Sequence, residues 1–254
     1  MKGSRLAVCV LLLCLVGASA LAKPTDSIDD CPVGTQRVGL ADLVFCWPAD
    51  SHAMEFKADL SFGFTVGQYW LGSVPVSREE FDRSLDKDGD WPDNAVSVLM
   101  YIYPRKHWRA RDDWRQARAN REIATALASL QGGDSFQAEY YRTGEDMRSL
   151  TFTRVRGDLF SAAFVIPENN GPRLDYEFRV RTSEGSLDYL LVCSAVGFGD
   201  SRGKLRACSV LSRLGDHHMR ALIQGGNTSL AMYVYELMRA RILSYWLQPA
   251  SGDQ

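Results

Sequence analysis

Between Phe136 and Leu214 the chain alternates apolar and polar residues in short runs, with turn-forming residues between them. The runs Leu150 to Val155, Leu159 to Ile166, Leu174 to Val180 and Leu187 to Val196 are separated by Thr143-Gly144, Arg156-Gly157-Asp158, Glu168-Asn169-Asn170-Gly171-Pro172 and Ser183-Glu184-Gly185. A period of two sends successive side chains to opposite faces of a strand, and Gly, Asn and Asp supply the backbone conformations of tight turns. The stretch therefore reads as an antiparallel meander.

The rest of the chain supplies further strands and the helices. Cys31 to Trp47 suggests short strands broken at Gly34 and Gly39, and Met54 to Val76 a strand pair turning near Gly67. Ser77 with Glu80 three residues on is a capping-box pattern opening a short helix over Arg78 to Leu85. Ala95 to Tyr103 is a strongly apolar strand stopped by Pro104. A long helix is expected from about Trp108 to Leu130, ended by Gly132-Gly133, with Trp114, Ala117, Arg121, Ala124, Leu127 and Leu130 at helical spacing. A last amphipathic helix spans Thr228 to Leu247, with Leu230, Tyr233, Val234, Leu237, Met238, Leu243 and Trp246 as its apolar set. Asn227-Thr228-Ser229 is formally a glycosylation sequon but reads as that helix's N-cap. The expected fold class is α+β, an antiparallel meander covered by two main helices. Residues 23–254 form a single domain on this reading, or two lobes meeting near Gly132.

The first 22 residues have the form of a secretory signal peptide: Lys2 and Arg5, the apolar run Leu6 to Val16, then Ala18-Ser19-Ala20-Leu21-Ala22. The apolar run is too short to span a bilayer. Cleavage after Ala22, or after Ala20, removes two basic residues and no acid, leaving 27 basic against 31 acidic side chains and a net charge of −4. That balance gives no reason to expect nucleic acid as a partner. No later stretch is apolar enough to be a transmembrane segment. Cys14 follows Leu13 where a lipid-anchor motif wants a small residue. Arginine outnumbers lysine 23 to 6, as GC-rich bacterial genomes produce, and with an export signal this points to the periplasm.

Four cysteines remain after export. Cys31 and Cys46 are 15 residues apart, and so are Cys193 and Cys208. An even number in an oxidising compartment favours disulfides, and local pairing within each couple is the favoured connectivity. A loop of that length gains about 3 kcal/mol from cross-linking. Zinc ligation finds no C-x2-C spacing and no histidine nearby in sequence.

Candidates for chemistry are few. Gly199-Asp200-Ser201-Arg202-Gly203 matches G-x-S-x-G, which on a strand–turn–helix elbow would expose Ser201 as a nucleophile. Asp216, His217 and His218 are the acid and base candidates after it, adjacent rather than spaced like a triad. A hairpin centred on Asp200-Ser201 accounts for the same residues, because it sets Cys193 opposite Cys208. Asp86, Asp88 and Asp90, with Asp93 helping, could aim hard oxygens at a structural Ca2+, but a full EF-hand is excluded by Trp91, Pro92 and Ser97 at its later positions. Arg109, Arg111, Arg115 and Arg118 cluster in the first half of the long helix, where the dipole disfavours positive charge. Such a placement suits contact with an acidic partner. The Asp86 to Asp93 loop is a second candidate contact surface.

In size, export signal, cysteine pairs and α+β pattern the chain is similar to periplasmic immunity proteins, which neutralise toxic effectors of type VI secretion systems, lipases and phospholipases among them. The resemblance is one of layout over the whole chain and transfers no motif residues. It implies a non-enzymatic protein that binds a secreted effector enzyme and occludes it. The contrasting expectation is a periplasmic serine esterase using Ser201.

Overall fold

The computed structural model describes residues 31–40, 43–48, 54–59, 63–85, 91–104, 114–130, 132–141, 147–166, 173–194, 207–215 and 217–247. Elements follow in the order β1 (Thr35–Leu40), β2 (Leu43–Pro48), β3 (Met54–Asp59), β4 (Gly63–Leu71), β5 (Val74–Val76), α1 (Arg78–Ser84), β6 (Ala95–Pro104) and α2 (Trp114–Ala128). Then come β7 (Ser135–Tyr141), β8 (Met147–Arg156), β9 (Leu159–Ile166), β10 (Arg173–Ser183), β11 (Ser186–Ser194), β12 (Ala207–Leu214), β13 (His217–Gly225), α3 (Thr228–Tyr245) and β14 (Trp246–Leu247).

The meander forms as the alternation requires. β7 to β13 lie side by side in chain order, and β13 pairs with β6, which continues through β4 to β3. Every pairing is antiparallel. A separate three-stranded sheet runs β1-β2-β14, closed by Trp246 opposite Phe45. Residues 31–254 make one compact unit.

Central strands are apolar on both faces. Tyr189, Leu191 and Cys193 of β11 join one core cluster, which includes α3 and the small sheet. Leu190 and Val192 join the other, which includes α2. Burial on both sides explains why Tyr189 to Cys193 is a continuous apolar run rather than an alternating one. Helix α2 touches both β7 and β11, although three strands lie between them, so this half of the sheet curls around the helix.

Several local expectations need correction. The described residues hold three helices, the two longer ones and the expected short one, α1, which packs Phe81 between Tyr69 and Trp91. The expected turn near Gly67 is not there: β3 ends at Asp59, β4 begins at Gly63, and Gly67 sits mid-strand opposite Leu99. Of the long-helix expectation, α2 covers Trp114–Ala128, and residues 105–113 lie outside the described residues. Of its expected set, Leu127 is buried and Leu130 packs against the core, but their buried companions are Ala119 and Ile123 rather than Ala117, Arg121 and Ala124. Helix α3 ends at Tyr245 because Trp246 and Leu247 pair with β2, and it buries Ala231, Met232, Val234, Tyr235, Met238 and Ile242. Tyr233 and Leu237 stay exposed. Each large side chain in that buried set contributes about 1.5–3 kcal/mol, so burial, rather than a cleanly segregated apolar stripe, docks α3.

Both predicted caps form. Ser77 Oγ accepts from Glu80 N–H while the Glu80 carboxylate accepts from Ser77 N–H. Those bonds hold the exposed Glu80 carboxyl below its ordinary value. Asn227 Oδ1 accepts from Leu230 N–H at 2.9 Å.

Candidate functional site

Two polar regions flank the meander, one beneath α3 and one beside α2. The first is a set of ion pairs between α3 and strands β10 and β11. Arg181 donates to Glu236 at 3.0 and 2.5 Å and to Asp158 at 2.6 Å, and Tyr189 O–H donates to the same Glu236 oxygen at 2.5 Å. Thr228 O–H donates to Glu177 at 2.6 Å, and Glu177 pairs in turn with Arg179.

Asp188 takes part through a local irregularity. Arg181 opposes Tyr189, but Thr182 opposes Leu187, so Asp188 is the extra residue of a β-bulge. The bulge lets a residue between two face-alternating neighbours reach α3, where Arg239 holds it through two bonds of 2.7 and 2.8 Å. Such a bidentate guanidinium–carboxylate pair fixes geometry as well as charge.

Burial raises the Tyr189 phenol pKa well above its ordinary value, and the bond to Glu236 raises it further. For Arg181 burial opposes the charge, but its bonds to Glu236, Tyr189 and Asp158 outweigh burial and the pKa is raised. Tyr235, fully buried, is raised by desolvation, with the 2.8 Å contact to Ser212 Oγ acting the other way. These groups stay in one protonation state at neutral pH and brace the helix against the sheet.

The second region is a groove of about 740 Å³ between α2 and the strands β11, β12 and β13. Ala117, Asn120, Arg121 and Ala124 form its helix wall, and Leu187, Asp188, Leu211, Arg213 and His218 line the strand side. Asn120 Nδ2 donates to the Leu211 carbonyl at 3.0 Å, pinning the helix to β12. Arg213 and His218 are register partners on adjacent strands, and the His218 ring lies 5.9 Å from that of Tyr103. Arg121 and Arg213 have no carboxylate partner among the described residues. Asp188 already carries the Arg239 charge, which leaves the groove locally cationic.

The residues singled out by sequence fall unevenly on this geometry. Cys31–Cys46 and Cys193–Cys208 are both disulfides, and the second joins residues directly opposite each other in the β11–β12 ladder. Ser201 and Asp216 lie outside the described residues, but a strand starting at Ala207 follows the G-x-S-x-G match, not the helix that a nucleophile elbow needs. His217 and His218 are consecutive residues of β13, so they point to opposite faces; His217 is buried in the core and His218 borders the groove. Asp86, Asp88 and Asp90 lie outside the described residues, and Asp93 is exposed in the turn before β6.

Of the arginine cluster, Arg109 and Arg111 lie outside the described residues and Arg115 is placed only as backbone in α2. Arg118 is half-buried and faces Glu122 at 4.0 Å. Arg213 was not singled out by sequence, because a lone arginine on a strand carries no pattern. Arg121 was visible at helical spacing, where it was read with the apolar face. The bracing pairs had a faint signal in the alternation of Arg179 with Arg181 and in Glu236 three residues before Arg239.

No family model matches the chain. No curated protein matches it either. Among solved structures it is similar to an immunity protein of the Stenotrophomonas maltophilia type IV secretion system, at 10% identity, 84% coverage of this chain, 93% of that chain and a TM-score of 0.41.

Proposed function

We propose that this is an exported, non-enzymatic binding protein of the immunity type, which neutralises a toxic secreted effector by docking on it and occluding its active site. The observation that carries the reading is the preformed cationic groove beside α2, held open on a frame that is cross-linked and ion-paired. The Cys193–Cys208 disulfide cross-links β11 to β12, two of the strands that form the groove, from the α3 side of the sheet, and Arg239 ties the groove's Asp188 to α3. A surface ordered before binding loses little conformational entropy on association, which favours a tight inhibitor.

Periplasmic residence follows from the signal-peptide pattern and agrees with both disulfides. Residues 23–254 act as one domain in this reading, with α2 and α3 as the helices that cover the sheet. The effector is a lipase or phospholipase of a type VI system by the resemblance in layout. Arg109, Arg111, Arg115 and Arg118, the arginine cluster of the sequence, are further proposed contacts for an acidic partner. A structural Ca2+ at Asp86, Asp88 and Asp90 remains part of the proposal.

The test is affinity capture of the tagged, exported protein from its native cell envelope at high salt. The expected result is one secreted enzyme at equal stoichiometry whose hydrolytic activity is suppressed in the complex and returns on dissociation. Capture of an enzyme that keeps full activity would overturn the reading.

A further inference from the structure

The groove has a chemistry that narrows its occupant. Most described arginines have a partner: Arg154 meets Asp134, Arg179 meets Glu177, Arg181 meets Asp158 and Glu236, and Arg239 meets Asp188. Arg121 and Arg213 are exceptions, and both line the same groove from opposite walls, one on α2 and one on β12. The lining also holds the small or apolar Ala117, Ala124, Leu187 and Leu211 and the polar Asn120, Ser186, Ser212 and Asp188, the last of which is paired with Arg239. Two guanidinium groups lining one groove repel while it is empty. They become favourable when carboxylates enter between them, since each fork can accept a bidentate partner.

Resting on the binding-protein reading above, we propose that this groove seats an acidic loop of the protein partner, with two of its carboxylates meeting Arg121 and Arg213. A nucleic acid fits less well, because its backbone calls for a long basic stripe and this chain carries a net charge of −2. A volume of about 740 Å³ has room for several side chains. His218 stands beside Arg213 on the adjacent strand and lines the same groove.

The probe is a fluorescein-labelled peptide of alternating Glu and Ala, titrated with the exported protein at low salt and followed by anisotropy. Saturable binding is expected, weakened about tenfold or more by Arg121→Ser with Arg213→Ser. Ala124→Phe, which fills the groove and leaves both charges, should weaken it comparably. Arg156→Ser, removing an exposed arginine elsewhere, should not. Binding that survives both groove variants, or falls equally with Arg156→Ser, overturns the proposal. Displacement by inorganic phosphate at equal anion concentration also overturns it, in favour of a small-anion site. The two levels separate cleanly: an enzyme captured equally by wild type and by the double arginine variant removes this seat but leaves the immunity reading. Peptide binding without any inhibited enzyme does the reverse.

Discussion

Glu236 is the hub of the α3 bracing, and its removal has a cost that can be worked out from its partners. In Glu236→Ala the Tyr189 hydroxyl, on a side chain 1% exposed, loses its acceptor. An orphaned buried hydroxyl costs about 1–3 kcal/mol. Arg181 keeps Asp158 at 2.6 Å, so its loss is smaller, about 1 kcal/mol after allowing for the partly exposed Glu236. The sum is about 3 kcal/mol, which for a chain of this length lowers Tm by about 6–12 °C. A double-mutant cycle isolates the key term. In the wild type, Tyr189→Phe removes a satisfied hydroxyl and costs about 1 kcal/mol. In the Glu236→Ala background the same change removes an orphan and is neutral or stabilising. Urea titration of the four proteins measures the coupling. Equal costs of Tyr189→Phe in both backgrounds would refute the claim that Glu236 satisfies that hydroxyl.

Other expectations follow from separate parts of the fold. Gly225 has φ +84°, and a Cβ there would meet the Ala95 carbonyl at 2.2 Å and the Trp91 ring at 2.6 Å, so Gly225→Ala should cost about 3 kcal/mol or more in thermal melts. Gly72→Ala, also at positive φ but in open space, should cost only about 1 kcal/mol. Replacing Cys193 and Cys208 together by alanine should lower stability by about 3 kcal/mol, read as a lower midpoint in denaturant. The Tyr189 and Tyr235 phenols are raised above their ordinary 10.0 in the folded chain. Their contribution is therefore complete below pH 10, and it is lost above that as the unfolded chain releases protons the native state keeps. Denaturation midpoints should fall above pH 10, and less steeply in Tyr189→Phe.

The meander was legible because its information is local. Alternation sets the faces, Glu184-Gly185 supplies the two positive φ values of the β10–β11 turn, and equal spacing about Asp200-Ser201 set Cys193 against Cys208. Helix orientation was less legible. In α2 the stripe Ala117, Arg121 and Ala124 keeps helical spacing as the buried set Ala119, Ile123 and Leu127 does, and alanine fits either side. In α3 both Tyr233 and Tyr235 are apolar enough to be core, and only the position of β12, whose Ser212 meets Tyr235, decides between them. The strand β13 passed unnoticed because its inward residues include His217 and its outward ones include Leu222. The groove could not be read at all, since it depends on how far the sheet curls around α2 before β12 and β13 leave the helix. Sequence periodicity carries no information about that curl.

The central claim is inhibition by docking through the α2 groove. The decisive measurement is titration of the captured effector's hydrolytic activity with wild-type protein and with the Arg121→Ser, Arg213→Ser double variant. The account predicts complete inhibition at one equivalent of wild type and a dose requirement about tenfold or more higher for the variant. Activity that persists at excess wild-type protein would contradict it.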